Sequence, residues 1–455
     1  MDKQTLSNYG LLTVVTLILA VMLAFATPFG TYVGDGVVSV ANGFVGASDE
    51  GLDEDNISNL EKQWDNKLNN NNGGSNDIPD SGAGGITPDE PDIPPIVDEP
   101  PTPTIRNDII PDDATYTPKG GTAITGNGTN TFPDTVQTGD TYEYGDYIYK
   151  YNQYYSGGDS WESDKSQNGW GVRVKDASKT TYGEILSEIA GQPINTMHKT
   201  FKSCTSLATA PTIPSSVTNM QYTFEYCTSL TTAPAIPNSV TSMTFTFYSC
   251  TSLTTAPTIP SSVTNMGQTF EYCTSLTTAP TIPNGVTDMS NTFFSCTSLT
   301  TAPTIPNGVT DMSNTFALCT SLTTAPVIPN SVTNMECTFV NCTSLTTAPV
   351  IPNSVTNMVQ TFKGCTSLTT APTIPSSVKY ISYAFYNCRS LTTAPTIPSS
   401  VTNMASTFSR CTALTGTIEV NANPTSYSDC LKFTRITGIT GSCSQETKDA
   451  LMATK

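Results

Sequence analysis

The stretch CTSLTTAPTIPSSVTNMGQTFEYC, from Cys250 to Cys273, decides the fold of this chain. The two cysteines that bound it belong to a series with a constant 23-residue period: Cys204, Cys227, Cys250, Cys273, Cys296, Cys319, Cys342, Cys365, Cys388 and Cys411. Apolar residues return every three or four positions inside each unit, as in Cys227, Leu230, Ala233, Ile236, Val240, Met243 and Phe247. A fixed period of this length predicts a repeat solenoid, in which each coil buries its inward residues against its neighbours.

Nine complete units run from Cys204 to Arg410, and a tenth begins at Cys411. The segment Leu253–Cys273 carries, in order, a Leu, an Ile-Pro step, a Val, an apolar Met, a Phe and a Cys. In this it resembles the BspA-like, or Treponema-type, leucine-rich repeats of bacterial surface proteins. The resemblance implies a leucine-rich-repeat stack with short parallel strands over residues 194–416, and adhesion to ligands on a host or neighbouring cell.

One departure from the family pattern affects the expected strands. A proline stands in the Ala-Pro step of every unit, as at Pro257 and Pro280. Because proline cannot donate a ladder hydrogen bond, we expect short, broken strands rather than a smooth parallel sheet.

Composition argues against several classes of function. The chain of 455 residues has a formal net charge of −18, and a single histidine. Nucleic-acid binding needs clustered Lys and Arg, and a single histidine in the whole chain argues against a histidine-based triad or a multi-histidine metal site. The sequence therefore predicts a protein that is not an enzyme, holds no cofactor or metal, and does not bind nucleic acid.

The N-terminus carries an export signal. Residues Leu11–Phe29 contain no charge, and 19 residues of helix are about long enough to cross a bilayer core. Ala24-Phe25-Ala26 has the small-x-small form of a signal-peptidase site, so this segment is either an uncleaved membrane anchor or a cleaved signal peptide. We assign residues 1–46 to it and expect the rest of the chain at the bacterial cell surface, or secreted if cleavage occurs.

Two regions are expected between this segment and the repeats. Residues 47–118 hold 17 acidic and 3 basic residues with many Pro, Asn and Gly, which predicts a disordered acidic stalk. Residues 119–193 read as a small β/α unit that caps the solenoid: alternating strands around Tyr147, Tyr149 and Tyr151, then a helix in TYGEILSEIAGQP, residues 181–193. The tyrosines are expected to fill a core rather than to stack on sugar rings.

The cysteines are predicted to be structural. Ten aligned cysteines fit a ladder of small, buried, reduced side chains better than a set of disulfides between adjacent coils. Cys430 and Cys443 stand outside the ladder, in a C-terminal cap assigned to residues 417–455, and are candidates for a disulfide. Cys337 occupies a variable position and is expected to be the most reactive thiol.

The candidate binding residues are the positions that differ between otherwise near-identical units. They follow the Met and the Phe of each unit, and include Tyr222, Tyr226, Phe245, Tyr248, Gln268, Tyr272 and Phe294. Such residues suit a binding face for a surface protein or glycan, because aromatic side chains carry much binding energy. The alternative is relaxed drift on a solvated surface.

The sequence thus predicts an exported bacterial surface protein that acts as an adhesin or ligand-binding scaffold and is anchored in the membrane by its N-terminal helix. Two alternatives stay open. A cell-wall or glycan hydrolase would use Glu143, Asp146 or Glu162 of the small unit, and a phage or prophage tail adhesin would keep the binding role.

Overall fold

The computed structural model describes residues 109–157, 160–163 and 168–455, and its repeats form a stack of 23-residue coils. Neighbouring coils meet at two isolated parallel bridges, one at the second Thr of the Thr-Thr step and one before the Met. Examples are Thr232 with Thr255 and Asn265 with Asp288. The expectation of short, broken strands is confirmed, and the adjacent Ala-Pro and Ile-Pro steps explain it because they lack ladder donors.

The segment from Met to Cys in each coil is a run of turns. The amides of Thr223 and Cys227 bond back to carbonyls three residues earlier, whereas the amide of Phe224 donates to the Thr246 carbonyl of the next coil, at 2.9 Å. Local turn bonds therefore alternate with bonds between coils, which satisfies the backbone without a continuous strand.

Columns of identical side chains fill the interior. The phenylalanine rings stack along the solenoid, with centroids 5.7 Å apart and planes 7° apart at Phe270 and Phe293. The threonine before the Phe, present in every coil but that of Phe385, is also buried: the Thr292 hydroxyl donates to the Met266 carbonyl of the coil before, at 2.9 Å. The predicted inward ladder is confirmed, with a hydrogen-bonded hydroxyl column beside it.

The ten cysteines of the ladder are buried free thiols. Each thiol from Cys227 onward donates to the carbonyl of the Phe in the coil before, as Cys296 does to Phe270 at 3.1 Å. Burial raises the pKa of these thiols, to about 12 for Cys319. A thiolate is the reactive form of cysteine, so the ladder acts in packing rather than as a set of nucleophiles.

The N-terminal unit is a seven-stranded, mostly antiparallel sheet beside a separate two-stranded hairpin. Tyr147, Tyr149 and Tyr151 are buried in its core, as predicted. Its first strand, Thr115–Thr117, lies within residues 47–118, the range assigned to the stalk from the sequence. The strands are β1 (Thr115–Thr117), β2 (Ile124–Thr125), β3 (Thr141–Tyr144), β4 (Tyr147–Tyr151), β5 (Gln153–Gly157), β6 (Ser160–Ser163), β7 (Trp170–Val174), β8 (Glu188–Ile189) and β9 (Gln192–Thr196). The sheet order is β2-β1-β3-β4-β7-β9-β8, and β5 and β6 form the hairpin.

The predicted helix over residues 181–193 is wrong. This segment is extended and ends in the β8-β9 hairpin, whose two turn residues, Ala190 and Gly191, have φ of 49° and 69°. Positive φ at both central residues defines the type I′ turn that matches strand twist. Ile185 and Ile189 are buried, but against the sheet, so their helix-like spacing reflects alternate contacts of an extended chain.

The small unit packs on the first coil. Thr196, at the end of β9, forms a parallel bridge with Asn219, and the Phe201 ring lies 5.2 Å from the Tyr182 ring. The Thr200 hydroxyl donates to the Val172 carbonyl of β7 at 2.8 Å. The sheet core therefore continues into the ladders of the solenoid.

The C-terminal end extends the coil pattern beyond residue 416. Strand β10 (Thr415–Glu419) pairs in parallel with β11 (Arg435–Thr440), and helix α1 (Gln445–Met452) follows, capped by the Ser444 hydroxyl. The buried Leu451 packs this helix onto the end of the core.

The disulfide predicted between Cys430 and Cys443 is not present, because both are buried free thiols in different columns. Cys430 stands one repeat after Thr407, in the threonine column. Cys443 stands one repeat after Val420, in the column that begins with the Ile residues, and its amide bonds to the Val420 carbonyl. Each of the two cysteines thus replaces a regular packing residue of the last coils.

In the part of the chain that the structure describes, no helix is long and apolar enough to span a bilayer. The predicted membrane segment at residues 11–29 and the stalk up to residue 108 lie outside the described residues.

Candidate binding face

Three columns of side chains form what we term the variable face: the second residue after each Met, and the first and second residues after each Phe. The first and third columns have positive φ in every coil, for example 57° at Tyr222 and 60° at Tyr226. This is the left-handed backbone that the run of turns imposes on the third residue of a type II turn. Most side chains in these columns are half-buried or exposed, although Ser249 and Ser406 are buried.

The aromatic residues predicted for this face form one connected group. Tyr222 stacks on Phe245, with centroids 4.6 Å apart and planes 12° apart. The Phe245 ring lies 5.5 Å from that of Tyr248, and the Tyr248 ring lies 5.5 Å from that of Tyr272. The Tyr272–Phe294 and Tyr226–Tyr248 ring pairs complete the group, which we term the aromatic cluster: Tyr222, Tyr226, Phe245, Tyr248, Tyr272 and Phe294.

Four of these six rings stand at left-handed positions: Tyr222, Tyr226, Phe245 and Tyr272. An L residue other than Gly in this conformation costs about 1–2 kcal/mol, and Asn tolerates it better than bulky residues do. Later coils place Asn291, Asn314 and Gly364 at the same positions. The first coils thus keep aromatic rings where the backbone favours smaller residues.

The aromatic cluster continues onto the small unit, a contact that the repeat pattern alone did not predict. The His198 ring lies 5.4 Å from that of Tyr222 and 4.8 Å from that of Tyr154. His198 Nδ1 donates to the Tyr155 carbonyl at 2.8 Å, and burial lowers the pKa of His198 to about 4, so its ring is neutral at pH 7. The sequence held one indication that His198 lies at this face: it stands one repeat before Gln221, directly after a residue of the Met column.

Two carboxylates of the variable face are buried, although variable positions were predicted to lie outside the core. Glu225 is 7% exposed and forms an ion pair of 2.8 Å with Lys202. Glu271 is 8% exposed, and its Oε2 has no hydrogen-bond partner among the residues that the structure describes. Burial raises the pKa of Glu271 to about 8, although a hydrogen bond from Gln268 opposes the shift. The acid is therefore mostly protonated at pH 7.

Cys337 also lies on this face, in the first column, with φ of 56°. It is half-buried, unlike the ladder thiols, and burial raises its pKa to about 12.

The carboxylates that a hydrolase would need are engaged in structural contacts. Asp146 binds Lys179 and the Gly183 amide, and these hydrogen bonds lower its pKa. Glu143 lies 3.5 Å from Lys175, and Glu162 accepts a hydrogen bond from the Tyr154 hydroxyl. A general acid needs a raised pKa, so Asp146 is poorly suited to that role.

The repeat pattern identifies the family. A family model for the BspA type leucine-rich repeat region matches residues 194–323, 243–369 and 336–448, which together cover more than half of the chain. The chain belongs to this family. The BspA-type repeat of this protein is thus the 23-residue coil described above, with its Phe column and its Cys ladder.

Solved structures similar to this BspA-type protein include three bacterial leucine-rich repeat proteins. One from Bacteroides ovatus is 19% identical, with 62% of this chain and 88% of that chain covered and a TM-score of 0.37. One from T. pallidum is 24% identical over 44% and 83%, with a TM-score of 0.33. A leucine rich cell surface protein from Faecalibacterium prausnitzii is 22% identical over 68% and 97%, with a TM-score of 0.34. No curated protein matches the chain. The family assignment therefore rests on the repeat model.

Proposed function

We propose that this protein is an exported bacterial surface protein whose aromatic cluster binds a protein or glycan on a host or neighbouring cell. One observation carries the proposal: six rings from four successive coils form a single connected surface group. Binding energy usually concentrates in a few aromatic side chains, and the outward columns of a solenoid form an extended binding surface.

The backbone of the variable face supports binding rather than drift. Residues under no selection at left-handed positions would be expected to move toward Asn or Gly, as at Asn291, Asn314 and Gly364. The first three coils instead keep Tyr or Phe at Tyr222, Phe245 and Tyr272. The stability lost at these positions would be offset by a gain in attachment.

The test replaces rings with the residue that later coils use. A face variant carrying Tyr222→Asn, Tyr226→Asn, Phe245→Asn and Tyr272→Asn should fold, because Asn suits the left-handed backbone. Its binding to an array of immobilised glycans and extracellular proteins is compared with that of the parent. We expect the strongest parent signals to fall about tenfold or more, since several hot-spot rings are lost together.

The matched control changes another exposed column of the same coils. Thr231→Ser, Thr254→Ser and Thr277→Ser keep the hydroxyl that donates to the coil before, so fold and binding should both persist. If the face variant folds and binds the same array as strongly as the parent, the aromatic cluster is not the binding face.

A further inference from the structure

Charge is distributed unevenly along the solenoid. Residues 204–362 contain five acidic residues and no Lys or Arg. Residues 363–435 contain only two acidic residues but six basic ones: Lys363, Lys379, Arg389, Arg410, Lys432 and Arg435. In a chain whose formal net charge is −18, the last coils are thus a locally cationic region.

One coil in this region departs most from the repeat. The segment Lys379–Arg389 of this coil reads KYISYAFYNCR. It lacks the Thr, Asn and Met that other coils have at its first three positions, and the buried Thr that precedes their Phe. Arg389 stands where other coils have the Thr that follows Cys. The exposed Lys379 and Arg389 and the 46% exposed ring of Tyr380 are all products of these changes. Departures of this coil from the consensus therefore add cations and rings to the surface.

The cations and rings alternate in space. Lys363 Nζ lies 5.8 Å from the centre of the Tyr383 ring and 5.9 Å from that of Tyr386. The Arg410 guanidinium lies 5.8 Å from the Tyr386 ring and 6.0 Å from the Phe433 ring. These contacts hold the cations over aromatic faces, which orders them before a ligand arrives.

The group continues to the end of the coils. Lys432 Nζ lies 5.9 Å from the Phe433 ring and 3.2 Å from an Asp429 carboxylate oxygen, and Phe433 is 59% exposed. Arg389 donates to the Asn387 side chain at 2.8 Å. We term the whole group the cationic patch: Lys363, Tyr383, Tyr386, Arg389, Arg410, Lys432 and Phe433.

Six of the seven patch residues lie in the columns of the variable face, at the opposite end from the aromatic cluster, and Arg389 follows the ladder residue Cys388. Lys363, Tyr386 and Lys432 belong to the column after Phe, and Arg410 and Phe433 to the next column. Lys363 and Lys432 are three coils apart, which corresponds to about 14 Å at the usual spacing of strands. The patch therefore matches a short stretch of a ligand.

We propose that the cationic patch binds an anionic polysaccharide, a chain of sugars that bear sulfate or carboxylate groups. Arg binds such anions through two parallel hydrogen bonds, and exposed Tyr and Phe rings pack against the apolar faces of sugars. A nucleic-acid ligand fits less well, because a protein that binds duplex DNA contacts about 6–10 phosphates and this patch presents four cations.

The test uses the full chain with a fluorescent heparin oligosaccharide as the probe. A patch variant carrying Lys363→Gln, Arg389→Gln and Arg410→Gln is compared with a control carrying Lys119→Gln, Lys175→Gln and Lys448→Gln. Both lose three positive charges, but only the first loses them from the patch. We expect the patch variant to bind about tenfold or more weakly, because three charge-assisted contacts are removed, and the control to bind within about twofold of the parent.

Competitors identify the ligand chemistry. Polygalacturonate carries carboxylates, desulfated heparin lacks sulfates and dextran is neutral, so their order of displacement separates sulfate from carboxylate recognition. The proposal is overturned if the parent does not bind heparin, or if the patch and control variants bind it equally. It is also overturned if dextran displaces heparin as well as the charged competitors do, or if a single-stranded oligothymidylate binds more tightly than heparin. The four-ring face variant should bind heparin like the parent, so this test can fail independently of the proposed adhesion site.

Discussion

At the scale of single residues, Glu225 and Glu271 show how the same position acquires different chemistry. Both follow the column Phe and both are buried, but only Glu225 has a cation, Lys202, at ion-pair distance. Burial of Glu271 makes its charged form the costly one and raises its pKa. The two acids should therefore respond in opposite ways to neutral substitution.

We predict that Glu271→Gln stabilises the protein at alkaline pH. The folded-state pKa of about 8 lies above the ordinary value of 4.5, so the folded state holds a proton that the unfolded state has lost. The parent should then lose stability as pH rises from about 4.5 to 8, and the variant should lose less. Urea unfolding at pH 5 and pH 9 should show a gain on the order of 2 kcal/mol for the variant at pH 9.

Glu225→Gln is the control for that measurement. It removes one partner of the ion pair with Lys202 and should destabilise the protein at neutral pH. If Glu271→Gln leaves the pH dependence of the parent unchanged, the acid is charged and solvated in the folded protein.

Adjacent residues Phe293 and Phe294 offer a matched pair for the core and the face. Phe293 is fully buried between the rings of Phe270 and Phe316, whereas Phe294 is half-buried in the aromatic cluster. We predict that Phe293→Ala lowers the free energy of unfolding by about 3–5 kcal/mol, and that Phe294→Ala lowers it by less than about 1 kcal/mol. Similar losses in urea unfolding for both variants would contradict the column assignment.

At the scale of elements, the hairpin β8-β9 is the one place where the predicted element type was wrong. A type I′ turn favours Asn before Gly, and this chain has Ala190 before Gly191. We predict that Ala190→Asn stabilises the protein by about 0.5–1 kcal/mol because Asn tolerates positive φ. Thermal unfolding measures this gain, and Ala190→Val, a β-branched residue that positive φ disfavours, should lower the midpoint. An unchanged midpoint in both variants would mean that the segment is not a tight hairpin.

The sequence was informative where one physical requirement repeats. The Phe, Met and Cys columns recur once in every coil and bury apolar groups, so period alone predicted them. The small unit has no repeat, and Ile185 and Ile189 fit a helix and an extended strand equally well until the sheet is known. The same holds for the candidate binding face. The repeat alone identified the variable columns, but the contact of His198 with Tyr154 depends on how the small unit folds onto the coils.

At the scale of the whole molecule, the cysteine ladder gives a measure of coil integrity. We predict that a thiol reagent at pH 8 modifies Cys337 first and slowly, because it is the half-buried thiol among the thirteen and its pKa is about 12. The ten ladder thiols should react only after unfolding. Mass spectrometry of the native protein should confirm this order, with Cys337→Ala as the control; rapid native labelling of Cys296 would show that the coils open.

The export proposed above also concerns the whole chain. We predict that the protein fractionates with membranes and that external protease removes its repeats from intact cells, because Leu11–Phe29 is long and apolar enough to cross a bilayer. A mature protein that begins at Thr27 and is found in the medium would instead establish cleavage of a signal peptide.

Because the middle coils are nearly identical, their number sets the distance between the aromatic cluster and the cationic patch. The rings of the aromatic cluster end at Phe294 and the cationic patch begins at Lys363, so three repeats separate equivalent columns at the two sites. Each coil contacts only its neighbours, so a unit inserted or deleted there would leave both ends intact. Unequal exchange between such similar repeats would then change the distance between the aromatic cluster and the cationic patch in steps of about 4.8 Å. Descendants of this protein would thereby match ligands of different length, with both surfaces unchanged.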